Sequence, residues 1–154
     1  MGRTYDTQVC SAARALEVIG ERWSLLIVRD ALFAGATRFA DFQRLGIATN
    51  VLAKRLDSLV ESGILERRSG AEHPDRPGYA VTQKGLDLAP VIITLSQWGD
   101  RWAAPDGPPI LYRHTACGGA IAEQATCDHC GQVTDLAQVH AVPGPGMPGS
   151  PAEE

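Results

Sequence analysis

"RFADFQRLGIATNVLAKRLDSLVESGILERR", residues 38–68, contains two helical patterns that are separated by a glycine. Phe39 and Phe42 recur at helical spacing before Gly46 interrupts the first pattern. The second pattern carries one apolar stripe, made by Leu52, Leu56, Leu59 and Val60. Such a stripe is typical of a helix that lies on a core. Two helices joined by a short glycine-containing turn predict a helix-turn-helix, whose second helix, about residues 48–62, can enter the DNA major groove.

The sequence after this helix pair changes to strand-like runs. Residues 64–69 and 78–82 are short and rich in strand-forming residues, and the segment between them is rich in Gly, Pro and charge. This pattern predicts a hairpin with a long tip. A hairpin in this position, about residues 66–80, is expected to act as a wing that contacts the DNA backbone or the minor groove.

The helix and the wing carry side chains that suit nucleic acid. Thr49 and Asn50 can hydrogen-bond to bases or phosphates, Ala53 allows close approach, and basic side chains can contact phosphates. The candidate DNA-binding residues are Thr49, Asn50, Ala53, Lys54, Arg55, Arg67, Arg68, His73 and Arg76. The balance over residues 37–84 is only 8 Lys+Arg against 6 Asp+Glu. Because basic helices are usually just solvated, the residues alone also allow a protein that binds no DNA.

Helical patterns also flank this unit. Residues 11–19 form an amphipathic pattern that ends at Gly20, and residues 22–33 read as a buried helix. Thr82 can cap a further helix that runs on to about residue 104. Pro90 implies either a kink in this helix or a position where the missing N–H is tolerated. Near the end of that helix, three large apolar side chains share one face, namely Leu95, Trp98 and Trp102. So much apolar area predicts either core or interface.

Three stretches resemble the HxlR-type winged-helix transcriptional regulators. "CSAARALEVIGERWSLLIVRDAL" (10–32) is similar to the opening of those proteins, and residues 38–68 resemble their helix-turn-helix and first wing strand. "RPGYAVTQKGLDL" (76–88) resembles their second wing strand and the start of the last helix. The resemblance covers roughly residues 10–103. It implies a mainly α winged helix-turn-helix fold (α+β) with a small β-hairpin wing, related in architecture to the MarR group.

The resemblance also implies a bacterial homodimer that regulates transcription, with repression as the expected mode. In that family the last helix and the N-terminal segment pair across the two-fold axis, so Leu95, Trp98 and Trp102 become candidates for the dimer interface. The chain departs from the family pattern at Ser11, where proline is common, and at Gly78, where a charged residue is frequent.

Cys10 precedes the first predicted helix, whose N-terminal dipole would favour the thiolate. A lone cysteine is more often a small apolar residue. In several of the resembling regulators, however, a cysteine at this place senses quinones, aldehydes or oxidants. Cys10 is therefore a redox-sensing candidate, and its oxidation or alkylation is expected to shift the dimer and release DNA.

"HTACGGAIAEQATCDHCG", residues 114–131, holds the other three cysteines. The spacing His114-x2-Cys117, nine residues, Cys127-x2-Cys130 predicts a small β zinc-ribbon-like lobe with a structural Zn²⁺. The residues between the two pairs are expected to form a hairpin. A metal-free or disulfide-linked knuckle and ligation by His129 in place of His114 remain alternatives. A catalytic site is disfavoured because four ligands leave no open position for water.

These observations predict four segments. Residues 1–104 form the DNA-binding and dimerisation domain, 105–109 a linker, 110–140 the zinc-ribbon-like lobe and 141–154 a disordered Pro/Gly-rich tail. The net charge of −4 is concentrated at the end, since residues 104–154 carry 1 Lys+Arg and 6 Asp+Glu. The chain has no apolar run of about 20 residues and no apolar leader, so a cytoplasmic, nucleoid-associated protein is expected.

The predicted function is therefore a homodimeric regulator that binds double-stranded DNA and not the membrane. An interaction adaptor that uses a winged helix and a zinc ribbon without specific DNA binding is the alternative. An enzyme is not expected, because the chain shows no nucleophile motif and no phosphate-binding glycine loop. A small-molecule inducer is also plausible, with an apolar pocket lined by Trp23, Phe33, Phe39, Phe42 and Trp98.

Overall fold

The computed structural model describes Tyr5 and residues 8–68, 78–122 and 124–148. Four helices come first: α1 (Ser11–Ile19), α2 (Ser24–Phe33), α3 (Phe39–Gln43) and α4 (Thr49–Glu61). They are followed by β1 (Leu65–Arg68), β2 (Gly78–Val81), α5 (Gln83–Leu86) and α6 (Ala89–Trp102). The C-terminal part contains β3 (Thr126–Cys127), β4 (Gly131–Gln132) and a 3-10 turn (Leu136–Gln138). The predicted helical fold with a small hairpin is confirmed, and a second, two-stranded sheet lies near the C-terminus.

The core lies where α2, α3, α4, β1 and α6 meet. Three residues of the stripe predicted on α4 are buried, since Leu52, Leu56 and Leu59 are at most 1% exposed, and the fourth, Val60, is half-buried. Phe42 from α3 is fully enclosed beside it. The remaining buried members of this cluster are Ile27, Val28, Ala36, Ile47, Ile64, Leu65 and Ile92. Burial of this apolar area fixes which face of α4 points outward.

The wing is an antiparallel pair in which Leu65 lies opposite Val81 and Arg68 lies opposite Gly78. Strand β2 is joined to the loop before α3, because the Tyr79 amide donates to the Thr37 carbonyl oxygen at 2.6 Å. That loop is held in turn by Asp41, whose carboxylate accepts from the amides of Thr37 and Arg38 at 3.0 and 2.8 Å. These two amides lower the pKa of Asp41. The wing and the helix-turn-helix therefore form one connected unit.

The long last helix predicted from the sequence is divided. Thr82 caps α5 as expected, since the Gly85 amide donates to its hydroxyl at 3.2 Å. Helix α5 ends at Leu86, and α6 begins at Ala89 after a two-residue turn. Pro90 lies in the first turn of α6, where its missing N–H has no helical partner to lose. Of the two alternatives for Pro90, the structure therefore shows the tolerated position, at a helix start, and not the kink.

The C-terminal lobe, residues 110–148, packs against α2 and α6 through Tyr112. The Tyr112 ring meets Phe33 edge to face, with centroids 4.9 Å apart. Its hydroxyl lies 3.1 Å from the Ser96 hydroxyl, and Gln97 Nε2 donates to the Ile121 carbonyl oxygen at 3.0 Å. The lobe is therefore attached to the same helix that carries the candidate dimer residues.

Strand pairing within the lobe differs from the expected hairpin between the two ligand pairs. We call the turns that hold the two ligand pairs the first knuckle (His114–Cys117) and the second knuckle (Cys127–Cys130). In the described residues, β3 and β4 pair across the second knuckle, and a single bridge joins Arg113 to Ala120 across the first. Each knuckle is closed locally because a left-handed glycine reverses the chain directly after its cysteine, at Gly118 and Gly131.

Helices of bilayer-spanning length and hydropathy do not occur in the part of the chain that the structure describes.

Gly85 provides a test of how tightly α5 packs on the wing. A Cβ at this position would lie 2.6 Å from Val81 Cγ1 and closer still to the Ile64 carbonyl oxygen. Because the backbone oxygen cannot move away cheaply, Gly85→Ala should lower the free energy of unfolding by about 1–3 kcal/mol. Urea unfolding at fixed protein concentration measures this change.

Gln83→Ala is the matched control, since Gln83 is exposed on the same short helix. Its effect should stay within about 0.5 kcal/mol. Equal stability of both variants would show that α5 is not packed against Ile64 and Val81 as described.

Candidate nucleic-acid interface

The outward face of α4 carries the polar residues expected at a DNA surface. Thr49, Asn50 and Lys54 are exposed, and Ala53 is half-buried beside them. The N-cap residue is Ala48, whose side chain has no acceptor, so no side chain caps the first turn. The first amides of α4 thus point outward next to Thr49 and Asn50, where they can donate to a phosphate.

Arg55 is placed differently from Lys54. Its guanidinium forms an ion pair with Glu21 at 2.6 Å, and its side chain is only 14% exposed. Its Nε has no hydrogen-bond partner among the described residues. The pair joins α4 to the turn between α1 and α2, so Arg55 has a structural contact, and its contribution to DNA binding stays a prediction.

The arginines at the end of β1 that leads to the wing tip are also paired with acids. Arg67 bonds to Asp57 on α4, and Arg68 Nε donates to Glu66 at 2.8 Å. Both arginine side chains are at least half exposed, and exposed pairs of this kind are weak. A phosphate can therefore replace the carboxylate. His73 and Arg76, which were predicted at the tip, lie outside the described residues.

Two basic residues escaped the sequence analysis. Arg38 and Arg44 flank α3, the first helix of the helix-turn-helix, and both are exposed. The first helix of such a unit crosses the DNA backbone. The basic residues at both ends of α3 were therefore a sequence signal for contacts to the DNA backbone. The sequence prediction considered only the second helix and the wing, and so did not include them.

The candidate dimer residues are exposed. Leu95, Trp98 and Trp102 on α6 are 51%, 61% and 70% exposed, so they are not part of this chain's core. Further exposed apolar side chains lie on α6 and near α1, namely Val9, Leu16 and Val91. Large apolar patches on a single chain usually mark contact surfaces.

Cys10 occupies the N-cap position of α1 with an extended backbone, and its side chain is exposed. The thiol makes no cap hydrogen bond, but the amides of Ala13 and Ala12 face the sulfur. These amides lower the pKa of Cys10, since they stabilise the thiolate. The arrangement favours reaction with electrophiles and oxidants.

The predicted metal ligands are brought together as pairs. His114 Nδ1 lies 3.2 Å from Cys117 Sγ. In the second pair, the amides of Cys130 and His129 and the Cys130 thiol face Cys127 and lower its pKa. Within the described ranges, no three His, Cys, Asp or Glu side chains are grouped as a metal site would require. The two pairs therefore do not share one centre in this structure.

An apolar cavity of about 260 Å³ lies between α2 and the wing strand β2. Its walls are formed by Ala31, Leu32, Ala36, Thr37, Tyr79, Ala80, Val81 and Leu86. None of the five aromatic residues predicted to line an inducer pocket is among them. Phe42 is in the core and Phe33 packs on Tyr112. The volume lies below the usual range for small-molecule sites.

The environment of Cys10 predicts how its reactivity depends on pH. Since the folded-state pKa is lowered, the thiolate persists at a pH where the unfolded chain is already protonated. Alkylation of Cys10 by iodoacetamide should therefore reach half its maximal rate at lower pH in the folded protein than in urea. Peptide-resolved mass spectrometry measures Cys10 separately from the other cysteines, and identical midpoints would contradict the described N-cap position.

Comparison with known proteins agrees with this geometry. Residues 18–107 match the HxlR-like helix-turn-helix family. Rv3095 of Mycobacterium tuberculosis, an uncharacterized HTH-type transcriptional regulator, is 44% identical over 139 residues, which cover 89% of this chain and 87% of Rv3095. The crystal structure of PA1607 has a TM-score of 0.77 at 36% identity and covers 89% of this chain and 97% of PA1607.

The redox regulator HypR, in its reduced form, has a TM-score of 0.54 at 26% identity. That match covers 60% of this chain and 92% of HypR. The family match spans more than half of the sequence, and the relatives named as regulators share its helix-turn-helix. This chain therefore belongs to the HxlR-like helix-turn-helix family of transcriptional regulators and is not an enzyme.

Proposed function

We propose that this protein is a homodimeric repressor that binds double-stranded DNA with α4 in the major groove and the wing on the backbone or minor groove. The observation that carries the proposal is the exposed first turn of α4, where Thr49, Asn50 and the uncapped amides lie together. The leucine stripe is buried on the opposite face. Side chains at the N-terminal end of a recognition helix are the ones that reach base edges.

The charges of the described residues support contacts to phosphates on both sides of α4. Lys54 is exposed on the outward face of the helix, and Arg38 and Arg44 flank α3. On the other side, Arg67 and Arg68 extend from the wing in weak surface pairs. This number of contacts is modest for one chain. A second copy that reads another half-site doubles it, which is why the proposal requires a dimer.

The dimer surface proposed is the exposed apolar face of α6 with the start of the chain. Trp98 and Trp102 are one helical turn apart and are both more than half exposed. Val9 and Leu16, from the α1 region, are about half exposed. Aromatic residues are enriched at the centres of interfaces, where their burial contributes most.

Regulation by thiol chemistry follows from the position of Cys10. The residue lies at the N-terminus of α1, next to Val9, which belongs to the proposed dimer surface. An oxidised or alkylated Cys10 adds bulk or charge beside that surface, and DNA release is the expected consequence. The similarity to HypR, which is named a redox regulator, supports this part of the proposal.

Specific DNA binding distinguishes the proposed repressor from the alternative, an interaction adaptor. Both readings use the same exposed surfaces, but only a repressor protects a defined sequence. A genome-wide pull-down of bound DNA followed by footprinting identifies the operator. A protein that recovers no enriched sequence would favour the adaptor, particularly if its binding to duplex DNA shows no dependence on salt.

Lys54 provides the sharpest test of the recognition surface. Lys54→Ala should weaken binding to the selected operator and reduce the slope of log affinity against log salt by about two for a dimer, because one phosphate contact per chain is lost. Asn50→Ala should weaken operator binding by about 1–3 kcal/mol and leave non-specific binding nearly unchanged. Fluorescence anisotropy over a salt series measures both.

Lys84→Ala is the charge-matched control. Lys84 Nζ donates to the Ser62 carbonyl oxygen at 2.8 Å, at the opposite end of α4 from Asn50. The Lys84→Ala substitution removes the same charge as Lys54→Ala, but it should leave the slope of log affinity against log salt within error of the wild-type value. If Lys54→Ala behaves like Lys84→Ala, the first turns of α4 do not face the DNA.

The dimer surface is tested by a chain that carries both Trp98→Glu and Trp102→Glu. Charged side chains at these positions should convert the dimer to a monomer, since they would be buried without partners. Sedimentation equilibrium gives the mass directly. Leu86→Glu, which introduces a charge at another half-exposed apolar residue, should leave the dimer intact. A double variant with unchanged mass would place the interface elsewhere.

A further inference from the structure

The C-terminal lobe has defined turns without a core of its own. From Ala104 to Pro148, none of the described residues is buried. Six of its larger apolar side chains are exposed, namely Ile110, Leu111, Leu136, Val139, Val142 and Met147. A segment of this size cannot be stabilised by apolar burial alone, and small lobes of this kind commonly depend on a metal or a cross-link.

Two knuckles of similar build provide the donors for such a metal. In the first, the amides of Cys117 and Gly118 donate to the His114 carbonyl oxygen at 3.3 and 2.8 Å. In the second, β3 and β4 place Cys127 opposite Gly131. Both glycines have left-handed backbones, with φ of 71° at Gly118 and 85° at Gly131. Each knuckle therefore turns back directly after its second donor.

The donor spacing within the first knuckle suits a shared ion. His114 Nδ1 and Cys117 Sγ are 3.2 Å apart. Two donors on one edge of a zinc tetrahedron, with bonds of about 2.1 Å to nitrogen and 2.3 Å to sulfur, lie about 3.6 Å apart. The pair needs to open by only a few tenths of an ångström.

The donors are not enclosed by apolar side chains, since His114, Cys117 and Cys130 are exposed and Cys127 is half-buried.

We propose that a single Zn²⁺ joins the two knuckles through His114, Cys117, Cys127 and Cys130. The ligand pairs are formed but do not share a centre among the residues described. Metal binding must therefore draw one knuckle onto the other, which closes the lobe around the ion. Each bound thiol loses its proton to solvent. Four protein ligands complete the tetrahedron, so the site is structural and has no position for substrate.

His114 is assigned as the nitrogen ligand because of its position. It contacts Cys117 across a knuckle that is closed by its own backbone hydrogen bonds. His129 is exposed and lies inside the second knuckle, between the two cysteines of the other pair. To bind the same ion together with Cys127 and Cys130, His129 would have to reverse the short turn that β3 and β4 hold.

The proposal is tested by metal analysis of the full-length protein, purified without chelator. The wild type should contain about one equivalent of zinc per chain, released by thiol alkylation and detected with a chromogenic chelator. Cys117→Ser, Cys130→Ser and His114→Ala should each lose most of this zinc. Cys10→Ser and His129→Ala are the matched controls, and both should retain it.

A second measurement reports the coordination itself. Cobalt added to the metal-free protein should give the strong visible absorption of a tetrahedral site with thiolate ligands, and stoichiometric zinc should abolish it. Non-reducing mass spectrometry should find four free thiols after the metal is removed in acid. Zinc below about half an equivalent, octahedral cobalt spectra or a Cys127–Cys130 disulfide would each overturn the proposal. Loss of zinc in His129→Ala with retention in His114→Ala would overturn the ligand assignment.

Discussion

The burial of three leucines on one face of α4 determines what the rest of the molecule can do. Leu52, Leu56 and Leu59 pack into the cluster formed with Phe42 and the neighbouring helices. Because an α-helix has a fixed period, anchoring these positions forces Asn50 and Lys54 outward on the other face. The wing then lies beside that face, since β1 begins four residues after the end of α4. The surface proposed to bind DNA therefore follows from a packing constraint on the opposite side of α4.

The local periodicity of the sequence was enough to predict this arrangement. Contacts between residues far apart in the sequence could not be predicted in this way. Spacings of a few residues predict the helices, the glycines that end them and the two wing strands, and the structure confirms these elements. Arg55 is next to Lys54 in sequence, but its partner Glu21 is 34 residues away. No local sequence pattern predicts the ion pair between Arg55 and Glu21. The close approach of Gly85 on α5 to the Ile64 carbonyl oxygen is likewise a contact that only the fold brings about.

The candidate site shows the same limit. The exposure of Trp98 and Trp102 excludes a place in the core of this chain, which their spacing alone left open. The two x2 spacings predicted the individual knuckles, because three-residue offsets are local. The strand pairing around them differs from the expected hairpin, since each knuckle closes on itself at its glycine. Under the zinc proposal, the way in which the two knuckles meet depends on the ion and not on these local spacings.

The attachment of the C-terminal lobe gives the molecule two levels of cooperativity. The lobe is held to α2 and α6 by the Tyr112 ring and by the Gln97 amide, whereas the winged helix is held by a buried cluster. Detaching the lobe breaks few of these contacts, so we expect it to open in a sub-global fluctuation that leaves α4 in place. In that case the lobe is a separate foldon, and proteolysis or amide exchange in it would proceed without loss of the helix-turn-helix.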